Sequence, residues 1–167
     1  MRNELTERDI QMMKEELDHR RIELRPKLLE AVKEARGFGD LSENYEYKAA
    51  KDEQRRNRSR IRYLKQMVAS AVVIEDHSQS GEIGLFDRVK LHMEDEDEDM
   101  DIRLVTTLRQ NPLKGLISKE SPLGQALLGH RAGERVYVKI SGEEGYWCSI
   151  LSVEKGEDDE NLEISRY

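Results

Sequence analysis

The feature that most constrains this chain is a row of positions spaced alternately three and four residues apart. These positions, which we call the seam, are Tyr47, Ala50, Gln54, Asn57, Ile61, Leu64, Val68 and Ala71. Such spacing is typical of a helix that packs along a second helix in a coiled coil. We therefore expect a long helix here, with a partner helix of similar length.

A matching pattern precedes the seam and supplies that partner. Apolar residues recur at Ile10, Met13, Leu17, Leu24, Leu28, Ala31 and Ala35, and Arg20 or Arg21 fills the one missing position. The pattern predicts a helix from about Glu7 to Arg36 that bends at Pro26, where a backbone hydrogen bond is lost. Gly37, Gly39 and Asp40 leave room only for a short turn, so the two helices fold back as an antiparallel hairpin.

Composition argues against one large core. Of the 167 residues, 38% are charged and 37% hydrophobic, and the net charge is -7. The charge is uneven: 17 basic and 15 acidic residues up to Glu75 give +2, whereas 11 basic and 20 acidic residues after it give -9. No apolar run approaches the roughly 20 residues that cross a bilayer, and the single Cys148 excludes an intramolecular disulfide. We expect a cytosolic protein with no membrane partner.

The second half of the chain alternates in the way that half-buried strands do. Strands are predicted around Val89, Leu91 and Met93, around Ile102, Leu104 and Thr106, over residues 135–140 and over residues 146–154. In "SPLGQALLG", Ser121 as N-cap, Pro122 at the first helical position and Gly129 past the end predict one short helix. The fold class is therefore α+β, with a coiled-coil hairpin over residues 1–75 and an antiparallel sheet domain over residues 80–155.

Two acidic segments belong to this half. We interpret "EDEDED", residues 94–99, as a solvated hairpin loop, because it lacks the glycine and the ligand spacing of an EF-hand calcium loop. The acidic tail covers residues 156–167. Leu162 and Ile164 in it fit an added edge strand, and disorder fits the tail equally well.

Asp40 and Glu43 lie three residues apart at the predicted tip of the hairpin. One interpretation is structural: Asp40 as N-cap and Glu43 at the third helical position form a capping box for the second helix. The other is that both carboxylates are hard oxygen ligands for a divalent cation such as Mg²⁺. Because Mg²⁺ requires about six oxygens, another molecule would have to complete that site.

Basic residues stand one position after successive seam residues and form what we call the basic stripe. Its members are Lys48, Lys51, Arg55, Arg58 and Arg62, and Arg36 approaches the same end from the first helix. These side chains are either solvated coiled-coil flanks that pair with acids such as Asp52 and Glu53, or a surface that contacts phosphates.

Two motifs resemble one protein family. "ARGFGDLSENYEYKAAKDEQ", residues 35–54, resembles the tip signature of the bacterial GreA/GreB transcript cleavage factors, and "GLISKESPLGQALLGHRAGERV", residues 115–136, resembles the signature of their FKBP-like C-terminal domain. The motifs stand in the family's order, and the resemblance covers nearly the whole chain. It implies that the coiled coil enters the secondary channel of bacterial RNA polymerase and that the globular domain docks at the channel rim.

The resemblance also implies what the acids do. Asp40 and Glu43 match the family's acidic pair, which helps to hold the second Mg²⁺ in the polymerase active site and positions the attacking water. The factor would then have no cofactor of its own and would not be an enzyme by itself. Its acids lack a partner within the chain because their partner is the metal of another protein.

Further roles follow for basic and docking residues. Arg36 and Lys51 match family positions associated with the 3' end of the nascent RNA in backtracked complexes, and we add Arg55 from its place on the basic stripe. The polymerase-docking surface is expected around Ser121, Pro122 and Leu123. We place Leu127 and Leu128 on the core face of the short helix instead.

Three functions compete at this point. The leading hypothesis is a monomeric elongation factor that stimulates cleavage of backtracked RNA by polymerase. Its first rival binds the same channel but inhibits polymerase or blocks other factors. The second rival is a folding catalyst or chaperone, although Phe86, Tyr137, Tyr146 and Trp147 supply few aromatic side chains for a peptidyl-prolyl pocket.

Overall fold

A computed structural model of the chain describes residues 3–38, 44–159 and 161–165. The chain forms two compact units: one contains Asp9–Val72 and the residues before Glu4, and the other contains Glu4–Arg8 and Val73–Tyr167. A two-stranded sheet is formed by β1 (Asn3–Leu5) and β2 (Ala71–Val73). No helix of the described residues has the length and apolar character needed to span a membrane.

The first unit is the predicted helical hairpin. Its first arm consists of α1 (Glu7–Asp18), a π-helical turn (His19–Leu24) and α2 (Arg25–Arg36), and its second arm is α3 (Tyr45–Ser70). The bounds predicted for the first helix are confirmed. The arms are antiparallel, since residues near the start of the first arm contact the later part of α3, whereas α2 ends where α3 begins.

The π-helical turn lies immediately before Pro26. In it the backbone N–H of Arg25 donates to the carbonyl of Arg20, five residues back. In a regular α-helix the ring of Pro26 would crowd the carbonyl of Ile22, and the wider turn relieves that clash. The turn also holds one extra residue, because the spacing of buried or half-buried positions is seven from Met13 to Arg20 but eight from Arg20 to Leu28.

The buried face of the hairpin follows the predicted pattern with two corrections. Gln54, Asn57 and Leu64 of the seam are buried, but Arg60 is buried where Ile61 was expected and Ile61 is only half-buried. In α2 the core residue is Val32, and Ala31 is exposed. The buried positions Leu28, Val32 and Ala35 still follow the spacing, but with four before three, which places Val32 on the buried face in place of Ala31.

The second unit is a curled mixed sheet with one short helix. Its strands are β3 (Arg88–Met93), β4 (Glu98–Val105), β5 (Leu116–Ser118), β6 (Arg135–Ser141) and β7 (Glu144–Glu154), in the order β5-β4-β3-β7-β6. All neighbours are antiparallel except β4 and β5, which are parallel. The predicted α+β class is confirmed, with this one parallel pair added.

The core of this unit lies between the sheet and the short helix α4 (Pro122–Leu127). Leu123 and Leu127 pack from α4 against sheet residues such as Leu91 and Val138. The placement of Leu128 in the core is wrong, since its side chain is 42% exposed. The helix ends at Leu127, and Leu128 takes a non-helical backbone conformation that turns its side chain off the core face.

Residues 95–99 of the acidic loop are exposed, as predicted, although β4 already begins at Glu98, whereas Glu94 is half-buried and pairs with Arg135. His92 holds two of the loop's acids: Nδ1 lies 2.9 Å from Oδ1 of Asp99, and Nε2 lies 3.2 Å from Oδ1 of Asp97. The hydrogen bond to Asp99 raises the pKa of His92 above its ordinary value. Among the described residues, no cluster of three or more His, Cys, Asp or Glu side chains could hold a metal ion.

The described part of the tail packs on the sheet unit without forming a strand. The backbone N–H of Ser165 donates to the carbonyl of Leu108 at 2.7 Å, and Leu162 packs against the cluster of Leu85, Phe86 and Val105. Asp158 forms an ion pair with Arg109, whose side chain is 0% exposed. This buried pair fixes the tail to the domain.

Candidate functional site

Asp40 and Glu43 lie outside the described residues, but the residues on either side of them define the tip of the hairpin. Helix α3 begins at Tyr45, and its N-cap is Asn44, whose Oδ1 accepts a hydrogen bond from the backbone N–H of Tyr47 at 3.0 Å. The interpretation of Asp40 as the N-cap of this helix is therefore wrong. Asn44 stands directly before the first helical residue and has an equally good capping side chain.

Asn44 also connects the two arms. Its Nδ2 donates to the backbone carbonyl of Ala35, in the last turn of α2, at 2.5 Å. One side chain thus satisfies a donor at the start of α3 and adds a second hydrogen bond to the Ala35 carbonyl, which also accepts from the backbone N–H of Phe38 at 3.3 Å. Sequence reasoning missed this residue, although the N-cap preference of Asn was a usable signal.

Three side chains from the two arms meet at the tip and form what we call the Tyr47 cluster. The guanidinium of Arg36, the last residue of α2, lies 5.7 Å from the centroid of the Tyr47 ring. The ammonium of Lys51 lies 5.9 Å from the same centroid. A hydrogen bond from Arg36, aided by the positive charges of Lys51 and Arg36, lowers the pKa of Tyr47. Arg36 and Lys51 are two of the predicted RNA-contacting residues and come from opposite arms. The structure brings them together on one ring.

Arg55 lies one helical turn beyond Lys51. Its Nη1 is 3.1 Å from Oδ1 of Asp52, and the two side chains are 76% and 53% exposed. Such a surface pair stabilises a protein by only about 0.5 kcal/mol, so it would yield readily to a phosphate. The pairing with Asp52 that sequence analysis left open is present at this member of the basic stripe.

A polar network below the tip fixes the register of the two arms. Arg20 donates from Nη1 to Oδ1 of Asn57 at 3.1 Å, and Asn57 donates from Nδ2 to the carbonyl of Arg20 at 3.3 Å. Glu16 accepts hydrogen bonds from Arg20 and Arg60. A polar group in a coiled-coil seam specifies register because a shifted pairing leaves it without partners. The network thereby determines which residues of α2 meet the start of α3.

The predicted docking residues lie at the start of α4. Ser121 is the N-cap: its Oγ accepts from the backbone N–H of Gly124 at 3.0 Å and donates to the carbonyl of Ser118 at 2.7 Å. Pro122 is exposed, whereas Leu123 is 9% exposed and belongs to the core. Surface for a partner is therefore offered by Pro122 and the half-buried Ser121.

Comparison with known proteins gives a consistent result for both halves of the chain. Residues 3–73 match the family model described as transcription elongation factor, N-terminal. Residues 78–155 match the model described as transcription elongation factor, GreA/GreB, C-term. Between them, the two matches include most of both units.

Individual relatives agree with the family models. The chain is 40% identical to the transcription elongation factor GreA of Mesoplasma florum over 136 residues, which is 81% of this chain and 87% of the relative. It is 40% identical to the GreA of Sinorhizobium medicae over 145 residues, 86% of this chain and 91% of the relative.

Among solved structures, the crystal structure of GreA factor homolog 1 of Thermus thermophilus is 26% identical, with a TM-score of 0.43, and the match covers 93% of this chain and all of that one. Two family models in sequence, together with relatives matched over most of their length, identify the family. The chain belongs to the GreA/GreB family of transcription elongation factors.

Proposed function

We propose that this protein binds bacterial RNA polymerase, inserts the hairpin tip into the secondary channel and stimulates cleavage of backtracked nascent RNA by the polymerase. The observation that carries the proposal is the Tyr47 cluster. Arg36 and Lys51 come from different arms and meet on one ring. In the sequence they bracket Asp40 and Glu43, the two acids that the family resemblance assigns to the polymerase metal.

The cationic side chains suit an RNA end. Clustered Lys and Arg neutralise backbone phosphates without reading the base sequence, as a factor that acts on many transcripts requires. Tyr47 holds the cations of Arg36 and Lys51 at the tip through its ring face. Arg55 extends the same surface along α3 and exchanges Asp52 for a phosphate.

The acids would supply oxygen ligands to a metal that belongs to polymerase. Mg²⁺ prefers carboxylate oxygens and stabilises both the attacking and the leaving oxygen of a phosphodiester in two-metal hydrolysis. Asp40 and Glu43 are the residues that would hold it. Because Asn44 caps α3, the need for a helix cap does not account for these two acids.

The sheet unit would dock at the channel rim through the surface around Ser121 and Pro122. The protein itself would perform no chemistry: it positions charged groups, and the polymerase active site cleaves the RNA. Its selectivity for backtracked complexes follows, because only they present an extruded RNA 3' end in the channel.

The test is shortening of RNA in a stalled, backtracked elongation complex. The variants Asp40→Asn and Glu43→Gln remove one negative charge each with almost no change in shape. Glu53→Gln, at an exposed position of α3, is the matched control that removes the same charge away from the tip. Binding to polymerase is measured in parallel by displacement of labelled wild-type protein.

We expect Asp40→Asn and Glu43→Gln to lose cleavage but keep binding, with partial recovery at higher Mg²⁺ concentration, and Glu53→Gln to behave as wild type. Equal loss in all three variants would contradict the metal role. Wild-type protein that binds polymerase without accelerating cleavage would instead support the rival function, an inhibitor of the channel.

A further inference from the structure

Two aromatic residues that flank Asp40 and Glu43 in the sequence have rings that are open to solvent. Phe38 is 70% exposed and Tyr45 is 81% exposed. In the part of the chain that the structure describes, the other exposed aromatic side chains are Tyr137 and Trp147, each 40% exposed, and they pack on each other with ring centroids 5.1 Å apart. Tyr45 is thus the most exposed of these rings.

Tyr45 stands on a well-defined base. It is the first residue of α3, directly after the N-cap Asn44, whose side chain is bonded to the backbone of both arms. One turn later, the ammonium of Lys48 lies 5.7 Å from the centroid of the Tyr45 ring. A cation therefore accompanies the ring, which still has a face available to solvent.

An exposed aromatic ring beside a cation matches the requirements of single-stranded nucleic acid. A base stacks on the ring, and a lysine neutralises the neighbouring phosphate. Arg36 and Lys51 add two more cations at the same end of the hairpin, each of which can contact a phosphate. A polymerase surface that covers the ring is the rival explanation, and the experiment below separates the two.

We infer that Tyr45 is a positioning residue that stacks on a base of the extruded RNA segment, with Lys48 at the adjoining phosphate. The inference rests on the proposed function, because it requires an RNA end at the tip. It adds a property that cations and carboxylates cannot provide: a dependence on the base itself. Stacking strength differs among bases, so the factor should favour purines over pyrimidines at the stacked position.

The experiment uses the full-length protein and a set of backtracked complexes whose extruded RNA carries a purine, a pyrimidine or an abasic nucleotide at each position in turn. The variants are Tyr45→Phe, which keeps an aromatic ring, and Tyr45→Leu, which keeps an apolar side chain without one. Tyr137→Leu removes an exposed tyrosine from the sheet unit as the matched control. Thermal unfolding of each variant checks the fold, which a change at so exposed a position should not disturb.

We expect Tyr45→Leu to raise the factor concentration for half-maximal cleavage about tenfold on a purine end, within the range for loss of one stacked base, and Tyr45→Phe to stay within about twofold of wild type. One abasic position should abolish the difference between wild type and Tyr45→Leu. An equal loss on abasic RNA would overturn the inference in favour of contact with polymerase, and no loss on any RNA would overturn it outright.

A second readout does not depend on cleavage. RNA with 4-thiouridine in the extruded segment should form a photocrosslink to the peptide that contains Tyr45 in the wild-type complex, and this crosslink should weaken at least fivefold in Tyr45→Leu. If wild-type protein crosslinks in this way without stimulating cleavage, the proposed function fails while the stacking site stands. If wild-type protein stimulates cleavage but shows no base dependence and no crosslink, the proposed function stands and the stacking site fails.

Discussion

Arg60 binds Glu16 across the hairpin through two hydrogen bonds, from Nε to Oε1 at 2.9 Å and from Nη2 to Oε2 at 3.1 Å. The side chain of Arg60 is only 8% exposed and that of Glu16 is 23% exposed. Paired, charge-assisted bonds of this kind have a demanding geometry. They connect α1 to α3 at one register, and a hairpin shifted by a residue would leave the Arg60 charge buried without its acid.

Glu16→Gln should destabilise the hairpin, because the buried guanidinium of Arg60 loses the carboxylate that accepts two of its hydrogen bonds. We expect a loss of about 2 kcal/mol, below the usual cost of breaking a buried pair because Glu16 is partly exposed. Urea unfolding followed by the helical circular dichroism signal measures it. Glu30→Gln, at an exposed position of α2, should change stability by no more than about 0.5 kcal/mol, and equal effects of the two changes would exclude a special role for the pair.

The same pair makes stability depend on pH. Burial raises the pKa of Glu16, but hydrogen bonds and charge from Arg60 and Arg20 outweigh burial and leave the pKa below its ordinary value of 4.5. The stabilisation is therefore fully present above pH 4.5 and is lost as the pH falls through the lowered pKa. Unfolding curves of wild type and Glu16→Gln should converge on acidification. A difference that stays constant with pH would mean that Glu16 acts through packing alone.

Asn44→Ala should loosen the tip, because it removes both the cap of α3 and the bond to Ala35. A loss of about 1–2 kcal/mol is expected from the two interactions. Asn44→Asp keeps the capping oxygen and removes only the donor, so about half of that loss should remain. Hydrogen exchange of the Tyr47 amide reports the cap directly, and unchanged protection in Asn44→Ala would show that the cap is dispensable.

Lys51→Ala should weaken capture of the RNA end, and the double change Lys51→Ala with Arg55→Ala should weaken it further. The wild-type advantage should shrink as salt is raised, because phosphate contacts are screened. Cleavage measured at subsaturating factor across a salt series gives the comparison. Lys65→Ala, near the other end of α3, is the exposed control. An advantage that does not change with salt would indicate helix packing in place of phosphate contact.

Asp158→Ala should destabilise the sheet unit. Arg109 is 0% exposed, and its guanidinium also donates to the carbonyl of Asp159 at 3.2 Å and lies 5.3 Å from the Phe86 centroid. Loss of the Asp158 carboxylate removes an ion pair from a fully buried guanidinium, at a cost of about 3 kcal/mol. Calorimetry of the full chain measures the shift, and Glu163→Ala at an exposed tail position is the control. Equal, small shifts in both variants would mean that the tail adds nothing to the fold.

Pro122→Glu should weaken polymerase binding without unfolding the domain. Pro122 is exposed at the start of α4, where an acidic side chain is favoured by the helix dipole. Ser121→Ala should instead cost about 1 kcal/mol of stability through the lost cap. Titration of labelled protein with polymerase measures binding. Wild-type affinity of Pro122→Glu would place the docking surface elsewhere on the sheet unit.

The hairpin could be predicted from the sequence because its signals are local. A repeat of three and four residues and two glycines act through neighbours in the chain, and each indicates its element without knowledge of the rest; the same holds for the capping Ser121 of α4. Arg60 was missed because its acid lies 44 positions away, and nothing near Arg60 in the sequence distinguishes it from the exposed arginines around it. The ion pair between the buried Arg109 and Asp158 in the tail was not predicted for the same reason.

At the tip, the right residue types were recognised but the cap was placed four residues too early. Asp40 and Asn44 are both good N-caps, and Gly37 and Gly39 drew the predicted turn toward Asp40. Choosing between them needs the position of the Ala35 carbonyl, which receives the second bond of Asn44. That carbonyl is positioned by the packing of the two arms, which no local pattern describes.

The extra residue in the π-helical turn sets the angular direction of everything that follows it in the first arm. Each residue of an α-helix turns the chain by about 100°, so an arm with the same sequence and no wide turn would present a different side at its end. Arg36 would then be rotated away from the ring of Tyr47. The direction of the Arg36 side chain is thus determined between Arg20 and Arg25, more than two helical turns before it. The cause is the extra residue of the wide turn, which accommodates Pro26.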